Sequence, residues 1–332
     1  MIKNIRELGI LIFLLLMIAV FSFLSPNFLT GHNLMSIASN NVVLGIMAIG
    51  MTLVIIIGGI DVSVGALLAC VSFLVGKLLF IDGANMILIL IAGILIGGLL
   101  GLMNGALIGK TGIPAIVITL GTMSIFRGGI YQYSEGRWIT GLPGWYRDFG
   151  TGKIILIPIP VLVLIAVAIF TAWLLRYTSL GRKVYAVGGD PISATRIGIN
   201  KSQIQIIVFT YMGLLTGISG AIYGAQFGSI MPSTGMGLEL SVIAAVVIGG
   251  ANIFGGSGSV SGTLIGVAII GVIENGLILA GAPTYWKEIM VGSIILIAII
   301  VDLLQRKRLE STVTVIDVME VNNEHERYPE TS

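Results

Sequence analysis

Residues 55–70, "IIIGGIDVSVGALLAC", set an acid inside an apolar run. No charged residue lies between Glu7 and Asp61, and the nearest Lys or Arg is Lys77. An Asp at a bilayer centre costs about 2.5–3.5 kcal/mol on insertion scales, so its presence needs a physical reason. The two preceding glycines permit a helix break. Asp61 can then cap the next helix by accepting from the amides of residues 63 and 64, with Ser63 as a second local acceptor. The functional alternative is that the broken helix lines a solute pathway, as interrupted helices do in carriers.

The flanking chain decides in what medium that break sits. The 332 residues are 56% hydrophobic and 10% charged, with a mean hydropathy of +1.03. A soluble domain carries about 25% charged residues, so the composition excludes one and points to an all-α polytopic membrane protein. Cys70 is the single cysteine, which removes intrachain disulfides and Cys-based metal clusters and reads as a packing thiol. The two histidines, His32 and His325, fall outside the apolar runs, taking the usual base and metal ligand from any embedded site. No cofactor or metal is expected, and nothing suggests nucleic acid.

About 20 apolar residues cross a bilayer. On that rule ten spans are expected, near 8–24, 42–58, 62–80, 86–108, 113–133, 154–175, 203–224, 239–253, 262–280 and 287–304. The first lacks an A-x-A site and is read as an uncleaved span. With an inside N-terminus, the inner segments hold Lys3, Arg6, Lys110, Arg176, Arg182, Lys183, Arg196, Lys201, Arg306, Lys307, Arg308 and Arg327. The outer ones hold only Lys77, Arg137, Arg147, Lys153 and Lys287. The positive-inside rule therefore puts both termini in the cytoplasm. Residues 1–304 form the transmembrane domain, and 305–332 read as a mobile acidic cytoplasmic tail.

In the fourth span Gly93, Gly97, Gly101, Gly105 and Gly109 recur every fourth residue. They form one helical stripe on which a neighbour can approach to backbone contact. Gly213, Gly217 and Ala221, with Gly220, Gly224 and Gly228, offer the same in the seventh. Such stripes are packing devices first, although smooth faces also let helices slide.

Besides Asp61, the ionisable residues at or inside span boundaries are Arg127, Glu239, Glu274 and Asp302. Asp302 and Glu239 suit span ends, where an acid also fits a helix N-terminus. Glu274, beside Asn275 and within the ninth span, is the other demanding case. A second break, "VVIGGANIFGGSGSVSG" (246–262), lacks the Lys of a phosphate loop, so the chain is not expected to hydrolyse nucleotide itself. The two breaks share a Val/Ile run, Gly-Gly and a small-residue re-entry. "GLMNGALIGKTGIP" from Gly101 likewise resembles "GVIENGLILAGAP" from Gly271. Duplicated halves are one reading, but the span parity of the two matches disagrees, one pair implying parallel halves and the other inverted halves.

The inner loop 177–202 places Asp190 as the cap and Pro191 in the first turn of a short surface helix. Here the sequence resembles the permease subunits of bacterial ATP-binding-cassette importers for ribose, xylose, rhamnose and autoinducer-2. The resemblance covers about 5–305 and rests on "GGIDVSVG", "IPAIVITLGTMSIFRG" (113–128), "GRKVYAVGGDPISATRIGI" and "AAVVIGGANIFGGSGSVSGTLIG". It implies a ten-span permease of the bacterial inner membrane, paired with a second permease copy or sister permease. ATPase subunits and an extracytoplasmic solute-binding protein would complete it. It assigns ATPase coupling to Gly188, Gly189, Asp190, Ala194, Arg196, Gly198 and Ile199. The family usually has Asn at 190, Ala at 193 and its Arg one position earlier; these swaps leave the loop's role intact and leave open which side chains contact the ATPase.

Asp61, Ser63, Asn104, Glu274 and Asn275 are the candidates for the pathway or the helix break. "EGRWITGLPGWYRDF" (135–149) and "FGSIMPSTGMGLEL" resemble autoinducer-2 permeases, leaning the solute toward autoinducer-2 or rhamnose over ribose. Trp138, Trp145 and Tyr146 read as interfacial anchors or as contacts to a binding protein or sugar. The rival reading is an ion-coupled secondary transporter using Asp61 or Glu274. A membrane enzyme fits poorly, since no H-E-x-x-H or nucleophile–base pair is apparent.

Overall fold

The computed structural model describes residues 2–283, 285–286, 288–293, 296 and 300. Its helices are α1 (Ile2–Leu24), α2 (Gly31–Asn40), α3 (Val42–Ile56), α4 (Val64–Leu78), α5 (Met86–Thr111), α6 (Ala115–Ser134) and α7 (Gly144–Thr151). After a two-stranded hairpin, β1 (Lys153–Ile154) and β2 (Ile157–Pro158), come α8 (Ile159–Tyr177), α9 (Ser179–Gly189) and α10 (Pro191–Arg196). Then follow α11 (Lys201–Phe227), α12 (Leu238–Ile248) and α13 (Val260–Leu279).

Each of the first nine expected spans contains a helix. The tenth, 287–304, and the tail 305–332 lie largely or wholly outside the described residues. Among the described residues α5, α8, α11 and α13 are long and apolar enough to cross a membrane. A fifth span results if α2 and α3, bent by 49° at a short break, count as one. The ten expected spans leave out 31–40, yet Thr30 accepts from the Asn33 amide and starts a helix there. The segment 134–153 is likewise not plain loop, because it carries α7 and the first hairpin strand.

The core is centred on α3, every residue of which is buried. α11, α12, α13 and α8 surround it. The broadest helix pair is α5 with α11. A Cβ at Gly93 would lie 2.7 Å from the Gly217 carbonyl oxygen, one at Gly101 2.8 Å from the Gly213 Cα, and one at Gly109 2.8 Å from the Ser202 oxygen. Gly97 and Gly105 meet α11 backbone in the same way. Large apolar residues of α5, among them Leu95, Leu99 and Leu102, point outward instead. Small residues inside and large apolar ones outside invert a soluble helix, the arrangement expected when the solvent is lipid. α11 has further small-residue faces: Gly220 packs on Val71 of α4, and Gly224 on Ile230 and Tyr146.

Candidate functional site: two helix breaks and the end of α9

α3 ends in a Schellman turn, in which the Gly58 amide donates to Ile55 O (2.9 Å) and the Gly59 amide to Val54 O (2.9 Å). Gly58 has φ +75°, a conformation open to glycine. The chain then re-enters through Asp61. Its Oδ1 accepts from the Ser63 amide (2.9 Å) and the Ser63 hydroxyl (2.6 Å). Asn104 Nδ2 of α5 donates to Ser63 Oγ (2.8 Å). Thr119 of α6 clamps the backbone on both sides of the acid, accepting from the Val62 amide and donating to Ile60 O, each at 3.2 Å. Asp61, Ser63, Asn104 and Thr119 are all buried.

This refines the cap reading. Ser63, not Asp61, holds the N-cap position of α4, and the Asp61 side chain satisfies the 63 amide alone. The acid makes a local turn two residues earlier, anchored through Ser63 to α5. Asn104 Oδ1 is buried and has no hydrogen-bond partner among the described residues.

The second break repeats the first. The Gly250 amide donates to Val247 O (2.9 Å) and the Ala251 amide to Val246 O (3.1 Å), with Gly250 at φ +88°. The left-handed glycine is the first of Gly58–Gly59 but the second of Gly249–Gly250, so the two stretches align one residue out of step with their glycine pairs. Beyond the turn, Asn252 folds the loop by accepting from the Phe254 amide (2.9 Å) on its side chain and from the Gly255 amide (3.0 Å) on its carbonyl. Ser259 caps α13. A buried Thr52–Thr263 hydroxyl pair (2.7 Å) ties α3 to α13.

The two breaks meet each other at the end of α9. The Gly256 amide donates to Ile56 O, the last carbonyl of α3, at 2.9 Å. Gly188 lies against that bond: a Cβ there would overlap Ile56 O and come within 2.8 Å of Gly256 N. Gly255, at φ +96°, sits with its own Cβ direction 2.8 Å from Gly188 O and 3.1 Å from Gly58 N. Tyr185 adds a hydroxyl bond to Gly258 O (2.8 Å). Three chain segments far apart in sequence thus close to backbone contact, which only glycine allows at these points.

α10 projects beyond this junction. Asp190 accepts from the Ile192 amide (2.9 Å), the Ser193 amide (3.2 Å) and the Ser193 hydroxyl (2.5 Å). The Ser193 hydroxyl bond, then the amides, hold its carboxyl below the usual range. The helix stops in a Schellman turn at Gly198, φ +84°. The coupling candidates divide here: Ala194 is buried, Gly188 is wedged inward, Ile199 is half-buried, and Gly189, Asp190, Arg196 and Gly198 are exposed. Ile192 and Ile197, missed by sequence reasoning, are 67% and 75% exposed beside them.

The pathway candidates also divide. Asp61, Ser63 and Asn104 form one cluster, whereas Asn275 exchanges two hydrogen bonds with Asn33 of α2 (2.8 and 2.9 Å). Asn275 therefore belongs to the α2–α13 contact, and Glu274 beside it on α13 is half-buried. Arg127 Nη1 donates to Pro232 O (3.0 Å) and Thr234 O (2.9 Å), holding the approach to α12. Glu239 accepts from the Gly237 amide (3.2 Å) at the start of that helix. Asp302 lies outside the described residues.

Residues 33–299 match a family described as the permease component of the branched-chain amino acid transport system. The chain is similar to the ribose import permease protein RbsC of Escherichia coli (strain K12), 40% identical over 299 residues, 88% of this chain and 92% of that protein. The D-allose transport system permease protein AlsC of the same strain is 36% identical over 300 residues, 90% of this chain and 92% of its own. The autoinducer 2 import system permease protein LsrC of Shigella flexneri is 34% identical over 301 residues, 91% of this chain and 88% of its own. No solved structure matches the chain significantly.

Proposed function

We propose that this chain, which belongs to the branched-chain amino acid transport system / permease component family, is the membrane-spanning subunit of an ATP-binding-cassette importer. It carries a monosaccharide-like solute (autoinducer-2, rhamnose or a pentose) into the cytoplasm, and ATP is hydrolysed in a partner chain. The resemblance of 135–149 leans toward autoinducer-2, while the higher identity to a ribose permease supports the pentose end of that range.

The observation that carries this reading is the seating of Gly188 between the two helix breaks. α10 stands proud of that seat with two exposed isoleucines, a shape suited to a protein pressing from below. Force applied to α10 passes through α9 to the ends of α3 and α12, where the chain turns back into the membrane. In this reading 177–202 and both termini face the cytoplasm of a bacterial cell, in the inner membrane. A solute-binding protein delivers from the opposite side, and a second permease copy or sister permease completes the passage. The tail 305–332 belongs to the cytoplasmic side.

Reconstitution tests it. Proteoliposomes holding the permease with its ATPase and binding protein should take up labelled sugar only with ATP inside. Ile197→Asp should weaken capture of the ATPase and lower uptake while leaving the permease folded. Uptake by the permease alone, driven by an ion gradient, would replace this reading with a secondary transporter.

A further inference from the structure

β1 pairs antiparallel with β2, Ile154 opposite Ile157, leaving Ile155 and Leu156 as a two-residue loop. Ile155 has φ +61°. Two-residue hairpin loops with positive φ favour Gly or Asn, and a β-branched residue is a genuine outlier there. Elsewhere among the described residues every positive-φ position is glycine except Glu135. The side chain at 155 is therefore held against the local backbone preference.

It does not pack on the protein. Ile155 is 94% exposed and Leu156 73%, and Ile154 and Ile157 beside them are exposed as well. The position of this apolar tip follows from α8, which starts at Ile159. Nineteen helical residues span about 28 Å, close to the roughly 30 Å hydrocarbon core. Ile159 therefore sits near the hydrocarbon edge. The tip, three or four residues away, reaches at most about 13 Å from it. Outward-facing Ile165, Ile169, Phe170 and Trp173 continue the apolar surface down α8. Exposed Lys153 stands behind the tip, an ammonium backing an apolar end as in interfacial anchors.

We propose that the hairpin Lys153–Pro158 is a lipid anchor, its Ile155–Leu156 tip seated in the head-group and upper acyl region of the leaflet opposite α9–α10. The inference rests only on α8 crossing the bilayer, so it stands or falls separately from the transport role.

The test uses the full-length chain in phosphatidylethanolamine–phosphatidylglycerol vesicles, with an environment-sensitive fluorophore on Leu156→Cys; native Cys70 is buried. Lipid carrying a nitroxide near the top of its acyl chain should remove most of the emission, and aqueous iodide little of it. A label on Thr140→Cys, an exposed residue of the loop before α7, should show the reverse. Ile155→Cys repeats the reading should the first variant fail to insert. Iodide quenching at 155 or 156 equal to that at 140 would overturn the anchor. So would shielding that arises only when the solute-binding protein is added, which would assign the tip to a protein contact.

Discussion

Along the α5–α11 seam, glycine removes side chains from two regular helices; at the junction below α3, it permits backbone that no helix contains. The seam is periodic and extended, each glycine repeating its neighbour's contact. The junction is a single point where Gly188, Ile56 and Gly255–Gly256 converge. A seam distributes load and resists motion. A point contact between a projecting segment and two helix ends transmits it. The same residue type thus marks the broadest helix contact of the molecule and the junction proposed to move.

The largest effect should come from breaking the seam. Gly97→Leu drives a side chain into the Gly213 and Gly217 backbone, an overpacking that costs about 1–3 kcal/mol or more. Thermal unfolding in detergent should fall sharply or the protein fail to accumulate. Gly121→Leu on α6, where nothing lies within 4 Å, should unfold as the parent does. Equal losses from both would deny that the seam is special.

Next comes Gly188→Ala. Its methyl meets one backbone hydrogen bond, between Ile56 O and Gly256 N, rather than a whole helix, so folding should survive with a smaller drop in melting temperature than Gly97→Leu. Uptake should fall by roughly tenfold or more while the ATPase still turns over, since coupling free energies of about 1–3 kcal/mol correspond to 5–150-fold. Parallel loss of stability and uptake would make the junction ordinary packing.

The smallest effect concerns the pin beside the junction. Ser63→Ala removes the hydroxyl that bridges Asp61 and Asn104, leaving buried polar groups short of a partner at about 1–3 kcal/mol. Asn104→Ala should cost less hydrogen bonding, because Ser63 still donates to Asp61. Uptake measured beside stability should place both variants between wild type and Gly188→Ala.

Much of this contrast was legible in the sequence, and unevenly. The seam follows from a spacing of four, since helical period alone sets five glycines on one face. Both breaks announce themselves by Gly-Gly after a Val/Ile run, and Asp190–Pro191 reads as a helix start because cap and first-turn preferences are local. What stayed hidden is whatever depends on distant chain. The meeting of Gly188 with Gly256 and Ile56 is backbone against backbone, with no side-chain pattern to mark it. Thr119, which clamps Asp61's neighbours, lies in a stretch that reads as an ordinary span. Asn275 looked like a partner in an embedded polar site until Asn33, 242 residues earlier, took up its amide. α2 was hidden by composition: its polar face resembles loop, and the Thr30 cap together with packing on α3 and α13 holds it as a helix.

The transport role proposed above requires that α9–α10, seated on both breaks, be the surface that meets the ATPase. Ile192→Cys tests it most directly, since this side chain is exposed and Cys70 is not. A membrane-impermeant maleimide should label it in inside-out vesicles but not in intact cells, and the bound ATPase should block the labelling. Labelling from the outside, or labelling indifferent to the ATPase, would contradict the account.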